Sequence, residues 1–399
     1  MDVLAGGGVT SAKGFRAGAV AAGIKKTGAL DLCIVASDRE AAVAGVFTTN
    51  KVRAAPVLLS EERVRRGRAR AVIANAGNAN CCTADQGLAD ASEMARLTAD
   101  KLGVTADEVL VASTGVIGVH LPMDSVRKGI ASIDVSGNDG SAAAQAIMTT
   151  DTFPKERAVR FELDGVTITV GGMAKGSGMI HPNMATMLAF VTTDAAVEPA
   201  FLSVALRRAT EVSFNMISVD GDTSTNDTFV VFANGAAGNS PITADSPAAR
   251  SFQEALNDVA IDLAKAIARD GEGATKLIEV VVDGAASAVD ARTAARAVAS
   301  SSLFKAAVYG ADPNWGRILC ALGYSGAEVD ESRADILIGD VWLMRDGKIQ
   351  AFDRQAAVAQ MTGPDVMVHA NLHLGTASAR AWGCDLTEKY VDINGRYTT

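Results

Sequence analysis

Short apolar runs alternate along the chain with longer stretches in which apolar residues recur every three or four positions. Arg70-Ala71-Val72-Ile73-Ala74 and Phe229-Val230-Val231-Phe232 are runs of strand length and read as buried strands. Phe252, Leu256, Val259, Ala260, Leu263 and Ile267 fall on one helical face, and Asp270-Gly271 stops the helix that they predict. Leu277-Ile278-Glu279-Val280-Val281-Val282 follows almost at once as a strand. Asp312-Pro313 predicts an N-cap and first helical residue for a helix reaching Leu322. Asp346-Gly347, between Trp342–Arg345 and Lys348–Phe352, predicts a hairpin turn. Val366, Val368, Ala370, Leu372 and Leu374 then alternate along one last strand, apolar side inward.

Strands and helices mixed without regular βαβ alternation predict an α/β or α+β sandwich. At 399 residues and 48% hydrophobic content the chain can bury a sizeable core. Its 38 glycines against 9 prolines suggest tight turns and close backbone contacts, not disordered linkers. A net charge of −9 argues against a nucleic-acid partner, which needs a basic surface. The densest basic cluster, Arg63 to Arg70, is expected on a solvated helix face. Five cysteines, with Cys81 and Cys82 adjacent, are too irregular for a disulfide framework and suit reduced thiols. The first residues lack the pattern of a secretory signal, and no stretch approaches the roughly 18 apolar residues of a membrane span. A cytoplasmic protein with no membrane partner is the expectation.

The candidate chemistry narrows by elimination at first. None of the four histidines has metal-ligand spacing, so no metal is expected; His369 and His373 share the polar, solvent-facing side of their strand. No Gly-x-Ser-x-Gly elbow or Gly-x-x-x-x-Gly-Lys-Ser/Thr phosphate loop is found, so the glycine-rich run 171–178 does not read as a nucleotide cradle. Ala185-Thr186 lies where that run, read as a glycine-loosened basic turn from Gly171 to Met184, enters the apolar run Met187-Leu188-Ala189-Phe190-Val191. If the bond before Thr186 breaks, a free α-amine of pKa about 7.7–8.0 stands beside the threonine's own hydroxyl. One residue then carries both nucleophile and base. An ordinary loop leading into a strand fits the same spacing. Thr114-Gly115 follows the apolar segment 109–112 and is expected at a strand end, where hydroxyl and backbone N–H can point together at an oxyanion; Ser-Thr-Gly is also a common turn.

The run Gly171-Gly172-Met173-Ala174-Lys175-Gly176-Ser177-Gly178-Met179-Ile180-His181-Pro182-Asn183-Met184-Ala185-Thr186-Met187-Leu188 resembles the self-processing region of the ornithine acetyltransferase (glutamate N-acetyltransferase, ArgJ) family. Further segments resemble the family in its order: residues 8–15, Asn75–Asn80, Ser113–Gly118, Asp222–Thr228, Asp312–Arg317, Gly383–Glu388 and the final Tyr397-Thr398-Thr399. Asn80-Cys81-Cys82-Thr83 departs from a more usual Ala-Cys-Thr-Gly, at positions with no catalytic role.

The resemblance implies an αββα layered core of the N-terminal-nucleophile type and a smaller C-terminal α+β lobe. It implies self-cleavage between Ala185 and Thr186 into residues 1–185 and 186–399. Residues 186 to about 279 would complete the shared core, with the C-terminal lobe running from about 280 to 399. Thr186 would carry the acetyl group from N2-acetyl-L-ornithine to L-glutamate, with Thr114 and Gly115 stabilising the oxyanion. Thr152, Lys175, Thr186, Glu272, Asn394 and Thr399 would line the substrate pocket, Lys175 and Glu272 supplying the two charge signs that an amino acid needs. No cofactor is implied, and the assembly would be a heterotetramer of two α and two β chains. Some family members also use acetyl-CoA as donor, and no residue here decides that. An N-terminal-nucleophile aminopeptidase or amidase is the alternative activity.

Overall fold

The structure, a computed structural model, describes residues 1–181 and 187–396. The chain opens with β1 (Asp2–Val3), β2 (Phe15–Val20) and the long β3 (Leu32–Phe47), followed by α1 (Ala55–Val64), β4 (Arg68–Asn78), α2 (Ala84–Leu102) and β5 (Val109–Val116). Helices α3 (Met123–Ser132) and α4 (Gly140–Ala146) lead to β6 (Lys155–Leu163) and β7 (Val166–Lys175). Next come β8 (Leu188–Thr193), α5 (Pro199–Val212), β9 (Ile217–Ser218), β10 (Thr228–Ala233) and α6 (Ala248–Arg269). The remainder is β11 (Leu277–Ala285), α7 (Ala288–Ser300), α8 (Ser302–Tyr309), α9 (Trp315–Tyr324), β12 (Asp335–Ile338), β13 (Val341–Arg345), β14 (Lys348–Ile349), α10 (Arg354–Thr362), β15 (Asp365–Asn371), β16 (Ala377–Cys384) and α11 (Glu388–Arg396).

Strand β3 is long enough to serve two layers. Its first half pairs with β2 and β4, with β5 beyond; its second half pairs with β10, which leads through β8, β7 and β6 to β1. The β3–β4 ladder slips between Ala36 and Ala41, where residues 38–40 turn out to solvent. An irregularity of this kind bends a strand, and the two halves of the sheet face each other across one buried cluster. Val35, Val72 and Leu110 from one half meet Leu188, Phe190 and Val230 from the other. Both outer faces are covered as well. Val191, Phe229 and Val231 pack on Phe201 of α5 and Phe252 and Leu263 of α6. Ile34, Ile73 and Val111 pack on Met94 of α2 and Ile130 of α3. Strands with two covered faces explain the near-continuous apolar runs of β4 and β10. The core is an αββα sandwich within a mixed α/β fold.

A second sheet runs β14-β13-β12-β15-β11-β16-β9 and takes its last strand from the core. Ile278, Val280, Val366 and Val368 pack on α7 through Ala291, Ala295 and Val298, in the same cluster as α6. On the opposite face His369 meets Asp283 and His373 meets Asp335, each at 2.7 Å. Asp346 and Gly347 both have positive φ (47° and 70°), and Arg345 pairs with Lys348, which is the two-residue hairpin read from the sequence.

Four local expectations need correction. The helix after Asp312-Pro313 starts at Trp315 and is capped by Asn314, whose side chain accepts the Arg317 N–H at 3.2 Å. Asp312 is held instead by Arg354 and by the Asn314 amide, each at 3.0 Å. Gly171–Lys175 continue β7 and are not a turn; a Cβ at Gly171 would lie 2.2 Å from the Gly8 carbonyl oxygen. Arg63 is buried and donates to the Val109 carbonyl, so the basic cluster is not wholly solvated. The alternating run 366–374 is not the last strand, because β16 follows it. Among the described residues no helix is long and apolar enough to cross a membrane.

Candidate active site

Strands β5 and β7 belong to opposite layers, and their C-terminal ends meet at one edge of the sandwich. Lys175, the last residue of β7, donates to Thr149 Oγ1 at 2.7 Å and reaches Thr114 Oγ1 at 3.5 Å. Its side chain is 8% exposed and stands 3.9 Å from Asp151. Burial lowers the Lys175 pKa, and Asp151 pulls it back upward. Beside Thr114, Gly115 has φ 131°, and a Cβ there would fall 2.4 Å from the Gly77 carbonyl carbon. The parallel β4–β5 ladder slips at that point. Only a residue without a side chain fits.

Behind Lys175 lies a buried ionic group that nothing in the sequence announced. Lys155 Nζ donates to Asp151 at 2.7 Å and to Asp270 at 2.6 Å, with the lysine side chain fully enclosed. Asp151 also accepts the Gly176 N–H at 2.6 Å and the Thr149 N–H at 2.9 Å. Burial alone would raise the Asp151 pKa, but Lys175 and Lys155 outweigh it and hold the carboxyl at about 2. Asp270 accepts both the N–H of Thr152, at 2.9 Å, and its hydroxyl.

Two residues past Asp270, Glu272 donates its N–H to the Ser177 carbonyl at 2.8 Å, while its carboxylate accepts Asn394 Nδ2 at 2.8 Å. A Cβ on Gly178 would lie 2.5 Å from that carboxylate. The Ser177 and Thr150 hydroxyls are 2.6 Å apart. Thus the turns 149–152, 176–181 and 270–273 and helix α11 interlock around Lys175 and Glu272.

The flanks of 182–186 are held by one run, residues 220–228. Asp220 accepts the N–H groups of Met179 (2.6 Å) and Ile180 (2.8 Å), and the Thr223 hydroxyl donates to the His181 carbonyl at 3.0 Å. Beyond 182–186, the Thr228 N–H donates to the Met187 carbonyl at 2.8 Å. Burial, assisted by Arg296 and Lys305, lowers the His181 pKa to about 4, so the ring is neutral beside Ser218. Burial also pushes the Asp227 carboxyl well above the usual range, and its Oδ2 has no hydrogen-bond partner among the described residues.

Of the residues singled out from the sequence, Thr114, Gly115 and Lys175 come together directly, and Glu272 and Asn394 form a second pair. Thr152 is exposed, with its hydroxyl occupied by Asp270. Ala185, Thr186 and Thr399 lie outside the described residues. Sequence reasoning missed Lys155, Asp151 and Asp220, read Asp270 only as a helix stop and considered His181 only as a metal ligand. Asp227 stood inside a quoted motif without being noticed.

The ArgJ family model matches residues 16–399. The arginine biosynthesis bifunctional protein ArgJ of Symbiobacterium thermophilum is 58% identical over 403 residues, covering 100% of both chains. Its counterpart in Geobacter sulfurreducens is 53% identical over 392 residues, covering 97% of this chain and 99% of its own. A crystal structure of the Bacillus halodurans arginine biosynthesis bifunctional protein ArgJ, 49% identical, matches with a TM-score of 0.51 over 52% of this chain and 98% of that one. Likeness of this degree along the whole length leaves one assignment: the chain belongs to the ArgJ family.

Proposed function

We propose that the chain is a self-cleaving glutamate N-acetyltransferase of arginine biosynthesis. The observation that carries this reading is the meeting of Lys175, Thr114 and Gly115 from opposite layers at the edge where β8 begins, two residues after Thr186. Relatives of full length named for arginine biosynthesis support the substrate class.

In the precursor, the Thr186 hydroxyl attacks the Ala185 carbonyl, the acyl group shifts from nitrogen to oxygen, and water hydrolyses the ester. Chains of residues 1–185 and 186–399 result. Strands β7 and β8, on either side of the break, are neighbours in one sheet, so both products stay within one fold. The Bacillus chain, matched over 98% of its length by about half of this one, has the size that a cut near the middle leaves. In turnover the Thr186 hydroxyl attacks the acetyl carbonyl of N2-acetyl-L-ornithine, and its own α-amine takes the proton and passes it to the departing ornithine amine. The Gly115 N–H and the Thr114 hydroxyl face the oxyanion. Lys175 donates toward Thr114 Oγ1, leaving the threonine's hydrogen for that oxyanion. Glutamate then enters the same pocket, and its amine attacks the acetyl ester. Lys175 and Glu272 provide charges for the carboxylate and ammonium of the amino acid, Asn394 orients Glu272, and Thr152 and Thr399 complete the pocket. No cofactor takes part. A second donor, acetyl-CoA, an assembly of two α and two β chains and a cytoplasmic location belong to the same proposal.

Supplied with N2-acetyl-L-ornithine and glutamate, the purified protein should release ornithine and N-acetylglutamate in equal amounts, with parallel double-reciprocal plots. Omitting glutamate should leave only slow hydrolysis. Hydrolysis as fast as transfer would make the protein an amidase instead.

Gly115→Ala tests the oxyanion donor. The added methyl collides with backbone at Gly77 and Asn78, which cannot swing aside as a side chain can, so the 115 N–H must move. A fall in kcat of about 10²–10³-fold is expected, with little change in KM for glutamate. Unchanged kcat in the folded variant would remove Gly115 from the reaction.

A further inference from the structure

Cys81 and Cys82 stand just ahead of α2, in a run that carries two cysteines where the family more usually has the single one of Ala-Cys-Thr-Gly. Their sulfurs are 3.8 Å apart, with Cys81 buried and Cys82 exposed. Cys81 belongs to a small buried cluster with Ala54, Val57 and Ala79. Burial pushes its thiol up, and the Thr225 hydroxyl draws it back. An exposed thiol with a second sulfur behind it can be oxidised in two steps, because the second sulfur condenses with the first oxidation product.

The backbone around the pair is tied to the strand end that carries Thr114 and Gly115. The Cys81 carbonyl accepts the Gly118 N–H at 2.9 Å, and the Ala79 N–H donates to the Val116 carbonyl at 2.9 Å. Asn226 Nδ2 bridges the two segments, donating to the Ala79 carbonyl at 2.6 Å and to the Ser113 carbonyl at 2.8 Å. The peptide group that bears the Cys81 carbonyl joins the two cysteines, so a bond between their sulfurs closes a ring that contains it. Cα atoms across a trans peptide are about 3.8 Å apart, less than the roughly 4.4–6.8 Å that a disulfide ordinarily spans. The sulfurs must also approach from 3.8 Å to about 2 Å. The ring therefore closes only if the 81–82 peptide turns, and a turned carbonyl leaves the Gly118 N–H.

We propose that Cys81 and Cys82 are a modification site for hydroperoxides, which oxidise them to a vicinal disulfide that loosens residues 116–118 and moves the Gly115 N–H away from the oxyanion. The inference rests on the reading of Thr114 and Gly115 as oxyanion donors. The Cys82 sulfur attacks the terminal oxygen of the hydroperoxide, the O–O bond breaks, and the other oxygen departs as alcohol or water with the thiol proton. The Cys81 sulfur then displaces the hydroxyl from the Cys82 sulfur. The S–S bond forms, the S–O bond breaks, and water leaves with the second thiol proton. Two thiols are oxidised and one hydroperoxide is reduced, and a dithiol reductant reverses the change.

The test treats the purified protein with hydrogen peroxide. In the wild type the peptide spanning 81–82 should lose the mass of two hydrogens, and hydrogen exchange at the Gly118 amide should speed up. Transfer from N2-acetyl-L-ornithine to glutamate should fall at least about tenfold in kcat, with little change in KM. Dithiothreitol should reverse all of these. Cys81→Ala should transfer at the wild-type rate and keep that rate after the same treatment. Cys82→Ala, at an exposed position, should be protected likewise, so a packing defect at buried Cys81 does not decide the result. Cys320→Ala, which removes the other exposed thiol, should lose activity as the wild type does. No disulfide at 81–82, equal loss of activity in both protected variants, or full activity in protein that carries the disulfide would overturn the proposal and leave the transferase reading standing. A disulfide that speeds Gly118 exchange, in a protein inactive on N2-acetyl-L-ornithine before treatment, would support the modification site and overturn that reading.

Discussion

Thr186→Ala is expected to yield one uncut 399-residue chain without transferase activity, while the wild type separates under denaturing conditions into residues 1–185 and 186–399. In the mechanism proposed above the hydroxyl is used twice, as the nucleophile that breaks its own peptide bond and as the group that carries acetyl. The α-amine that serves as base does not exist until the first use has succeeded. Both functions therefore disappear together, and a loss of at least about 10⁴-fold is expected, as for removal of a nucleophile acting as a unit with its base. The buried contacts that hold the neighbourhood, from Asp220 to Ile180 and from Thr228 to Met187, involve neither the hydroxyl nor the amine. The variant should accordingly fold with an unchanged circular dichroism spectrum. Sequencing the second wild-type chain should read Thr-Met-Leu-Ala-Phe. Thr186→Ser keeps a hydroxyl and should cleave slowly. An uncut wild-type chain with full activity would sink the mechanism.

Which parts of the molecule the sequence reveals follows from how far apart the interacting residues are. Val72 and Ile73 announce β4 because each side of that strand meets a different apolar layer, Leu110 and Phe190 on one side and Met94 and Ile130 on the other. The helix from Phe252 to Ile267 is legible because its buried face has the helical period. β16 is not, since Ala377–Cys384 is largely small residues, which bury without an obvious pattern. The cap at Asp312 was misplaced because Arg354, 42 residues on, claims that carboxylate, an interaction that local propensity does not contain. The same holds at the site. Thr114, Gly115, Lys175 and Glu272 stood out through motif resemblance, which stores long-range information that spacing lacks. Lys155 meets Asp270 across 115 positions of sequence, and no periodicity marks either residue. His181 reads as a titratable ring until its burial near Arg296 and Lys305 makes it neutral.

Lys155→Met is the substitution expected to cost most in stability. It removes the cation between Asp151 and Asp270, both of which are buried and already committed to backbone N–H groups: Gly176 and Thr149 on one, Thr152 on the other. Methionine fills the volume but leaves two carboxylates facing each other, with Lys175 at 3.9 Å from Asp151 as partial relief. Breaking a buried pair in this way costs about 3–5 kcal/mol, a large share of the roughly 5–15 kcal/mol that holds a domain together. The loss should appear as a lower denaturant midpoint at pH 7. Its pH dependence separates charge from packing. In the wild type Asp151 titrates at about 2, below the ordinary carboxylate value of 3.8, so its contribution is complete above pH about 4 and is lost as pH falls toward 2. In the variant the carboxylates repel, one of them takes up a proton more readily, and the deficit relative to wild type should shrink across that same interval. Where the variant remains folded, the turns carrying Gly176 and Thr152 lose their anchor, so KM for the amino acid should rise more than kcat falls. A deficit below about 1 kcal/mol, unchanged as pH falls from about 4 toward 2, would mean that the charge of Lys155 is not what holds these turns.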